Sequence, residues 1–471
     1  MVLHLLAGNR SRLMTRQASL KSSDRYCLGK IRLSIALFLS IVTITTAQDA
    51  IRPSLAGEAA AEARRQSIDN IPYNLQLGPM KLRFSATLGF EYNDNVNLTE
   101  DGSLTVVDSL GRPFTVTTEQ QSDFIIRPQI NVNVLWPITQ LNTFKLDLGL
   151  GYAFYLDHSE YNSNALLISP GSQLGFDIFV GDFRFNFHDR FSIQQDPISE
   201  IGLSNVADYT RFENTVGVSV LWDLNAAVAT LGYDHYNFIA IDDLFDYLDR
   251  HAEIVTGSFA FTPNATMSIG VEGAFVFDDY DEDILNDSTG YSAGLFLETQ
   301  ISNNLKLRVA AGYQNIDFDN VSLVDDPNDV SDYYANLLIS HRVNSVLTHS
   351  LAIGHENQLG VNSNFVRLNY IRHTAHWNIL YHTLLSTELF YEEADDSGGN
   401  GPIIVPGPGV FILNPFVAEH AHRYGGALSL GYQLTQHVTL GLRYQYIQKD
   451  SDQPLRDYSQ NRVSLDGTYS F

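Results

Sequence analysis

The last ten residues, Arg462 to Phe471, divide by parity into an apolar set (Val463, Leu465, Gly467, Tyr469, Phe471) and a polar set (Arg462, Ser464, Asp466, Thr468, Ser470). Side chains alternate across a strand, so this segment has one greasy and one wet face. The same alternation recurs from Lys81 onward, with no apolar run after residue 47 long enough to cross a bilayer as a helix. A long chain of amphipathic strands is what a transmembrane β-barrel requires, because a barrel satisfies every backbone hydrogen bond between neighbouring strands and leaves no open edge.

Near the amino terminus, Lys21, Arg25, Lys30 and Arg32 precede an apolar run from Leu33 to Ile44, and Thr45-Thr46-Ala47 supplies small residues for cleavage. This reads as a signal peptide over residues 1–47, with Met14 an alternative start. Its removal takes away seven basic residues and one acid, leaving 22 Lys+Arg against 53 Asp+Glu, a net charge of −31. Such a field repels nucleic acid and argues against it as a partner. The single cysteine, Cys27, leaves with the leader, so the remainder has no disulfide and no thiolate to offer as nucleophile or metal ligand. Residues 48–80 read as a periplasmic segment ahead of a barrel over 81–471.

The first strand, about Lys81 to Asn93, sets Leu82, Phe84, Ala86, Leu88, Phe90 and Tyr92 against Arg83, Ser85, Thr87, Gly89 and Glu91. Phe144 to Phe154, Phe183 to Arg190, Leu305 to Tyr313 and Thr439 to Tyr446 repeat the pattern. Short turns are expected at Pro137 to Asn142, Gly181-Asp182, Asp223 to Ala226, Thr262 to Asn264, Ser302 to Asn304, Asn344-Ser345, Leu380 to His382 and Thr435 to His437. Longer polar loops alternate with them at Leu98 to Ser122, Asp196 to Asp208, Asp278 to Asp287, Asp319 to Asp332 and Asp395 to Ala418. Eight tight turns imply an all-β antiparallel barrel of about 18 strands, with about 16 as the alternative. An even count places both termini in the periplasm.

A barrel of this width cannot be filled by its inward side chains and encloses an aqueous lumen unless loops or a tail occupy it. The inward parity supplies charges of both signs as candidate lumen-lining residues: Arg83, Glu91, Lys145, Asp147, Arg184, Arg190, Arg211, Glu213, Glu272, Glu298, Lys306, Arg308, Arg367, Arg443 and Asp466. Width is thus the main sequence argument for a porin-like channel that passes small hydrophilic solutes or saccharides, and an acidic mouth is expected to favour cations.

The residues Gly89-Phe90-Glu91-Tyr92-Asn93-Asp94-Asn95-Val96 resemble the amino-terminal signature of the β-barrel porin 2 family of bacterial outer-membrane proteins. The terminal Tyr469 and Phe471 are similar to the assembly signal of outer-membrane proteins, which the barrel-assembly machinery reads. The resemblance implies a pore in the bacterial outer membrane, amid lipid and lipopolysaccharide, and in some members a link to exopolysaccharide export. It names no solute. Read from the residues alone, the Asn/Asp run also serves as a strand leaving the membrane into a turn.

Three acidic runs stand out: Asp242 to Asp249, Asp278 to Asp283 and Asp325 to Asp332. Their carboxylates suit calcium, although none has EF-hand spacing, and solvated loop acids are the plainer reading. His373 and His376 fall on opposite faces of a strand; His420 and His422 share one but lack a third ligand evident in sequence, so no metal or cofactor site is assigned. No P-loop or dinucleotide fingerprint is present, and no catalytic residue is assigned. Pairing His188 with Asp189, or Asp94 with a distant histidine, gives an outer-membrane hydrolase only as a minor alternative. A structural or adhesive barrel, with ligand-binding loops such as the Gly/Pro-rich segment after Asp395, is the other alternative.

Overall fold

The computed structural model describes residues 73–107, 113–139, 141–264, 266–399 and 416–471. The expected leader, most of the segment before the barrel and the Gly/Pro-rich stretch at 400–415 lie outside the described residues. The chain forms a closed antiparallel barrel of 18 strands. They are β1 (Met80–Asn93), β2 (Asp123–Pro137), β3 (Asn142–Gly151), β4 (Gln173–Val180), β5 (Phe183–Gln194) and β6 (Arg211–Asp223). Next come β7 (Ala227–Ala240), β8 (Arg250–Asn264), β9 (Met267–Tyr280), β10 (Ser288–Ser302), β11 (Leu305–Phe318) and β12 (Val330–Arg342). The ring is completed by β13 (Leu347–Leu359), β14 (Phe365–Leu380), β15 (Thr383–Asp396), β16 (His420–Gln433), β17 (Val438–Ser451) and β18 (Tyr458–Ser470).

Each strand pairs with its neighbours in sequence, and β1 closes the ring on β18 from Ser85 opposite Ser470 to Asn93 opposite Arg462. Below that seam, a three-residue strand at Leu75–Leu77 continues the line of β18 by pairing with Met80 to Leu82. The eight short turns fall between β2 and β3, β4 and β5, and so on to β16 and β17, on one rim, and the long connections on the other. Two expectations shift. β8 runs through Pro263 to Asn264 with a register break after Phe261, so its turn comes later than the Thr-Pro-Asn signal. The first long loop contains a two-stranded ribbon, Gly102–Val107 against Pro113–Thr118.

The outward parity is an apolar belt with aromatic ends: Leu88, Phe90, Ile130, Leu231, Phe275, Leu428 and Leu442 are exposed, with Tyr92, Tyr291, Tyr333 and Tyr391 towards the long-loop rim. So much exposed apolar surface is stable only against lipid. No helix among the described residues is long and apolar enough to cross a membrane. Leu295, 66% exposed at the middle of β10, tests this face. Leu295→Arg is expected to cost about 2–4 kcal/mol in lipid-bilayer unfolding, the range for a cation on the lipid face near the bilayer midplane.

The Asn/Asp run after β1 fastens the seam. The Asp94 carboxylate accepts from the backbone and side-chain amides of Asn461, at 2.6 and 2.7 Å. Asn95 is fully buried; its amide donates to the carbonyls of Thr99 and Ser459, and its own carbonyl accepts from Gln460. At the other end of the seam, the Phe471 N–H donates to Phe84 O, and the Tyr469 and Phe471 rings meet edge to face on the outside. The segment that carries the family resemblance is therefore, in this chain, a fastening of the first strand to the last.

Candidate functional site: the lumen and the loop that crosses it

The connection between β5 and β6, residues 195–210, does not stand away from the barrel but crosses its interior. Around a ring of 18 strands, β14 and β15 lie opposite β5 and β6, and it is there that the loop lands. Ile201 packs against Val366 and Leu368 of β14 and Ala394 of β15. Ile198 packs with Leu98, Ile447 and Tyr458, and its carbonyl accepts from Arg423 Nη1 at 2.6 Å. Gly202 O accepts from Asn362, Ser204 Oγ donates to Arg456 O, and Asn205 Nδ2 donates to Leu455 O.

The loop turns inward because of local chemistry at its start. Asp196 caps a short 3-10 turn, Pro197–Ser199, by accepting from the Ile198 N–H, and its carboxylate also takes a two-pronged contact from the Arg462 guanidinium of β18, at 2.5 and 3.0 Å. Burial alone raises the Asp196 carboxyl; Arg462, with Arg127 and the Ile198 N–H, outweighs it and holds the group at about 2. At the loop's other end, the Arg211 guanidinium lies over the Tyr209 ring, pairs with Glu213 at 2.7 Å and donates to Ser199.

Further loops close over this one. Leu203, Tyr209, Phe245, Tyr247, Leu285, Val324 and Phe416 form one buried cluster with the inward Tyr236, Phe238 and Val276. Tyr247 donates to Asn362 across the mouth. The lumen is thus narrowed at the long-loop end by apolar packing, and below the loop its wall is polar.

That wall is built from ion pairs between adjacent strands and between strands one apart. Glu91 meets Arg127 at 3.3 Å, Asp177 meets Arg184 at 2.9 Å and Lys145 at 4.0 Å, and Asp147 accepts from Asn133. Asp234 accepts from His188 at 2.5 Å and stands 3.7 Å from Arg190. Arg308 bridges Glu272 and Glu298; Arg443 meets Glu388; Glu392 is shared by Arg372 and Arg423. Tyr334 lies flat along the wall over Gly312 and Gly294, where any Cβ would collide with its ring, and donates to Glu272. Arg83 and Asp466 share the inward parity, Arg83 being 7% exposed, and Lys306 lies exposed near the short-turn rim.

Arg367 departs from the expected set. On β14 the exposed Ile371 and Trp377 mark the outward parity, which Arg367 shares, and it pairs with Asp332 at the long-loop rim, at 2.9 Å. The apolar Val366 and Leu368 face inward instead, because Ile201 covers them. His188 pairs with Asp234 rather than with Asp189, which lies on the other face bonded to Asn214. Asp94 is engaged by Asn461. In two of the acidic runs carboxylates cap backbone amides: Asp242 accepts from the Leu244 N–H, Asp249 from Ala240, Asp326 from Asn364 and Asp329 from Phe318.

Sequence reasoning missed Asp196, Arg372, Glu392, Arg423 and Lys449. Parity placed Arg462 on the wet face of the last strand, but its partner stands 266 positions away in a loop whose path no local signal gives.

No family model matches the chain, and no curated protein matches it. Among solved structures it is similar to OpdL of Pseudomonas aeruginosa, at 10% identity, covering 84% of this chain and 99% of that one with a TM-score of 0.42. It is also similar to OccK2 (OpdF) of Pseudomonas aeruginosa in complex with glucuronate, at 11% identity, 83% and 98% coverage and a TM-score of 0.43. A BenF-like porin from Pseudomonas fluorescens Pf-5 gives 11% identity, 83% and 99% coverage and a TM-score of 0.43. With TM-scores below 0.5, the architecture rests on this chain's own strand register.

Proposed function

We propose that the protein is an outer-membrane channel for passive diffusion of small hydrophilic solutes, narrowed by the inward loop 195–210. The observation that carries this reading is the inner wall: a closed ring of 18 strands, apolar outside, whose inward parity is lined by paired charges of both signs. A packed core has no use for so many ionic side chains, whereas an aqueous passage solvates them. Saccharides as solutes, and a link to exopolysaccharide export, are supported by the sequence resemblance alone.

Because most of the lumen charges are paired, the acidic excess belongs chiefly to loops and mouth, and selectivity follows. Planar-bilayer recordings of the refolded protein are expected to show open-channel current with a modest cation preference at low salt that fades near 1 M, where the Debye length shrinks to about 3 Å. Normal heat-modifiable folding without current at any voltage would overturn the channel. It would favour the second reading, a structural or adhesive barrel, whose specific support is the buried aromatic cluster over the mouth.

A further inference from the structure

The outward face of β15 and β16 holds a side-chain group that the channel does not use. His420 and His422 lie two apart on β16, and the cross-strand partner of His422 on β15 is Glu393. The ligand atoms of the three side chains lie within 4.8 Å of one another, and among the described residues they are the one such group of three. The structure thus supplies the third ligand that sequence spacing did not reveal.

The two imidazoles are arranged as metal ligands are. Their Nε2 atoms face each other at 3.2 Å. Two nitrogens bound to one tetrahedral zinc ion at about 2.0–2.1 Å stand about 3.3 Å apart, so the observed spacing already matches the ion's requirement. The other ring nitrogen is engaged in each case. His420 Nδ1 donates to Asp395 Oδ1 at 2.5 Å, and His422 Nδ1 and Tyr391 Oη share a hydrogen bond at 3.0 Å. Those contacts hold both rings with Nε2 turned towards a common point, where one cation can take a lone pair from each. The carboxylate behind His420 repeats the carboxylate–histidine arrangement that orients zinc ligands.

We propose that Glu393, His420 and His422 bind a divalent transition-metal ion of the zinc class, with Asp395 as the positioning residue. Imidazole and carboxylate donors suit such an ion better than calcium or magnesium, which take oxygen ligands alone. The site lies beyond Tyr391 at the long-loop rim, at the base of the connection 397–419, and half-exposed side chains leave remaining coordination positions to water. A bound ion ties β15 to β16 where that connection leaves the barrel.

Titration of the folded, untagged protein with Zn2+, followed by calorimetry and by the visible spectrum of Co2+ in its place, tests this. One saturable Zn2+ per chain is expected, undisturbed by excess Mg2+. His422→Ala and Glu393→Gln should abolish the Co2+ bands, and Asp395→Asn should weaken Zn2+ by roughly tenfold or more, with heat-modifiable mobility unchanged in all three. No saturable binding to the parent chain, or equal affinity in His422→Ala and Glu393→Gln, overturns the assignment.

Discussion

Excising residues 197–204 and rejoining Asp196 to Asn205 through a short Gly-Ser link is expected to raise single-channel conductance several-fold. The expectation follows from where the segment lies: it bridges the ring from β5–β6 to β14–β17, so its removal restores cross-section that no wall side chain refills. The wall survives the cut, because every β5–β6 ladder contact, from Phe183 opposite Trp222 to Gln194 opposite Arg211, lies outside the excised residues. Ile201→Asp provides a second route to the same end. It sets a carboxylate among Val366, Leu368 and Ala394, where burial without a partner is costly, and should displace the loop and give a larger, noisier current. Unchanged conductance in both variants, with intact barrel folding, would show that the narrowest point lies elsewhere.

Glu419→Ala is expected to destabilise the barrel by about 3–5 kcal/mol in urea unfolding, the cost of leaving a buried charge without its partner. Glu419 is 3% exposed and holds Lys449, at 2.7 Å and 0% exposed, together with Arg456 at 2.8 Å and the Ser451 hydroxyl. Burial raises the Glu419 carboxyl, and Lys449 and Arg456 outweigh it, so the group stays below the ordinary carboxylate range. A lowered pKa means that this stabilisation is present above the ordinary carboxylate pKa and is lost as the pH falls through the lowered one. Lys449 also donates to Ser204, so the same substitution loosens the far attachment of the crossing loop. Glu419→Gln, which keeps the shape and removes the charge, should recover only part of the loss. A change under about 1 kcal/mol in Glu419→Ala, the size of an exposed pair, would show that water reaches Lys449.

Much of the wall was legible because strand periodicity is local. Leu88, Phe90 and Tyr92 against Arg83 and Glu91, or Leu440 and Leu442 against Arg443, declare their faces within one segment, and the turn residues at Gly181-Asp182 and Ser302 to Asn304 declare where strands reverse. The rule that apolar side chains face lipid breaks near the long-loop rim. There Val366, Leu368, Tyr236 and Phe238 point inward, because folded loops rather than water fill the space, and Arg367 is left on the outside. The metal group was half legible: His420 and His422 share a face by spacing, but Glu393 joins them only through the register of β15 on β16.

By itself the sequence determined a closed amphipathic barrel of about 18 strands with short turns on one rim and long loops on the other, since alternation and turn chemistry act between residues close along the chain. What the barrel encloses is set by contacts that no local pattern encodes. The crossing of loop 195–210 and the hold of Arg462 on Asp196 join residues far apart in the chain. Such contacts become neighbours only when β1 meets β18 and the ring closes.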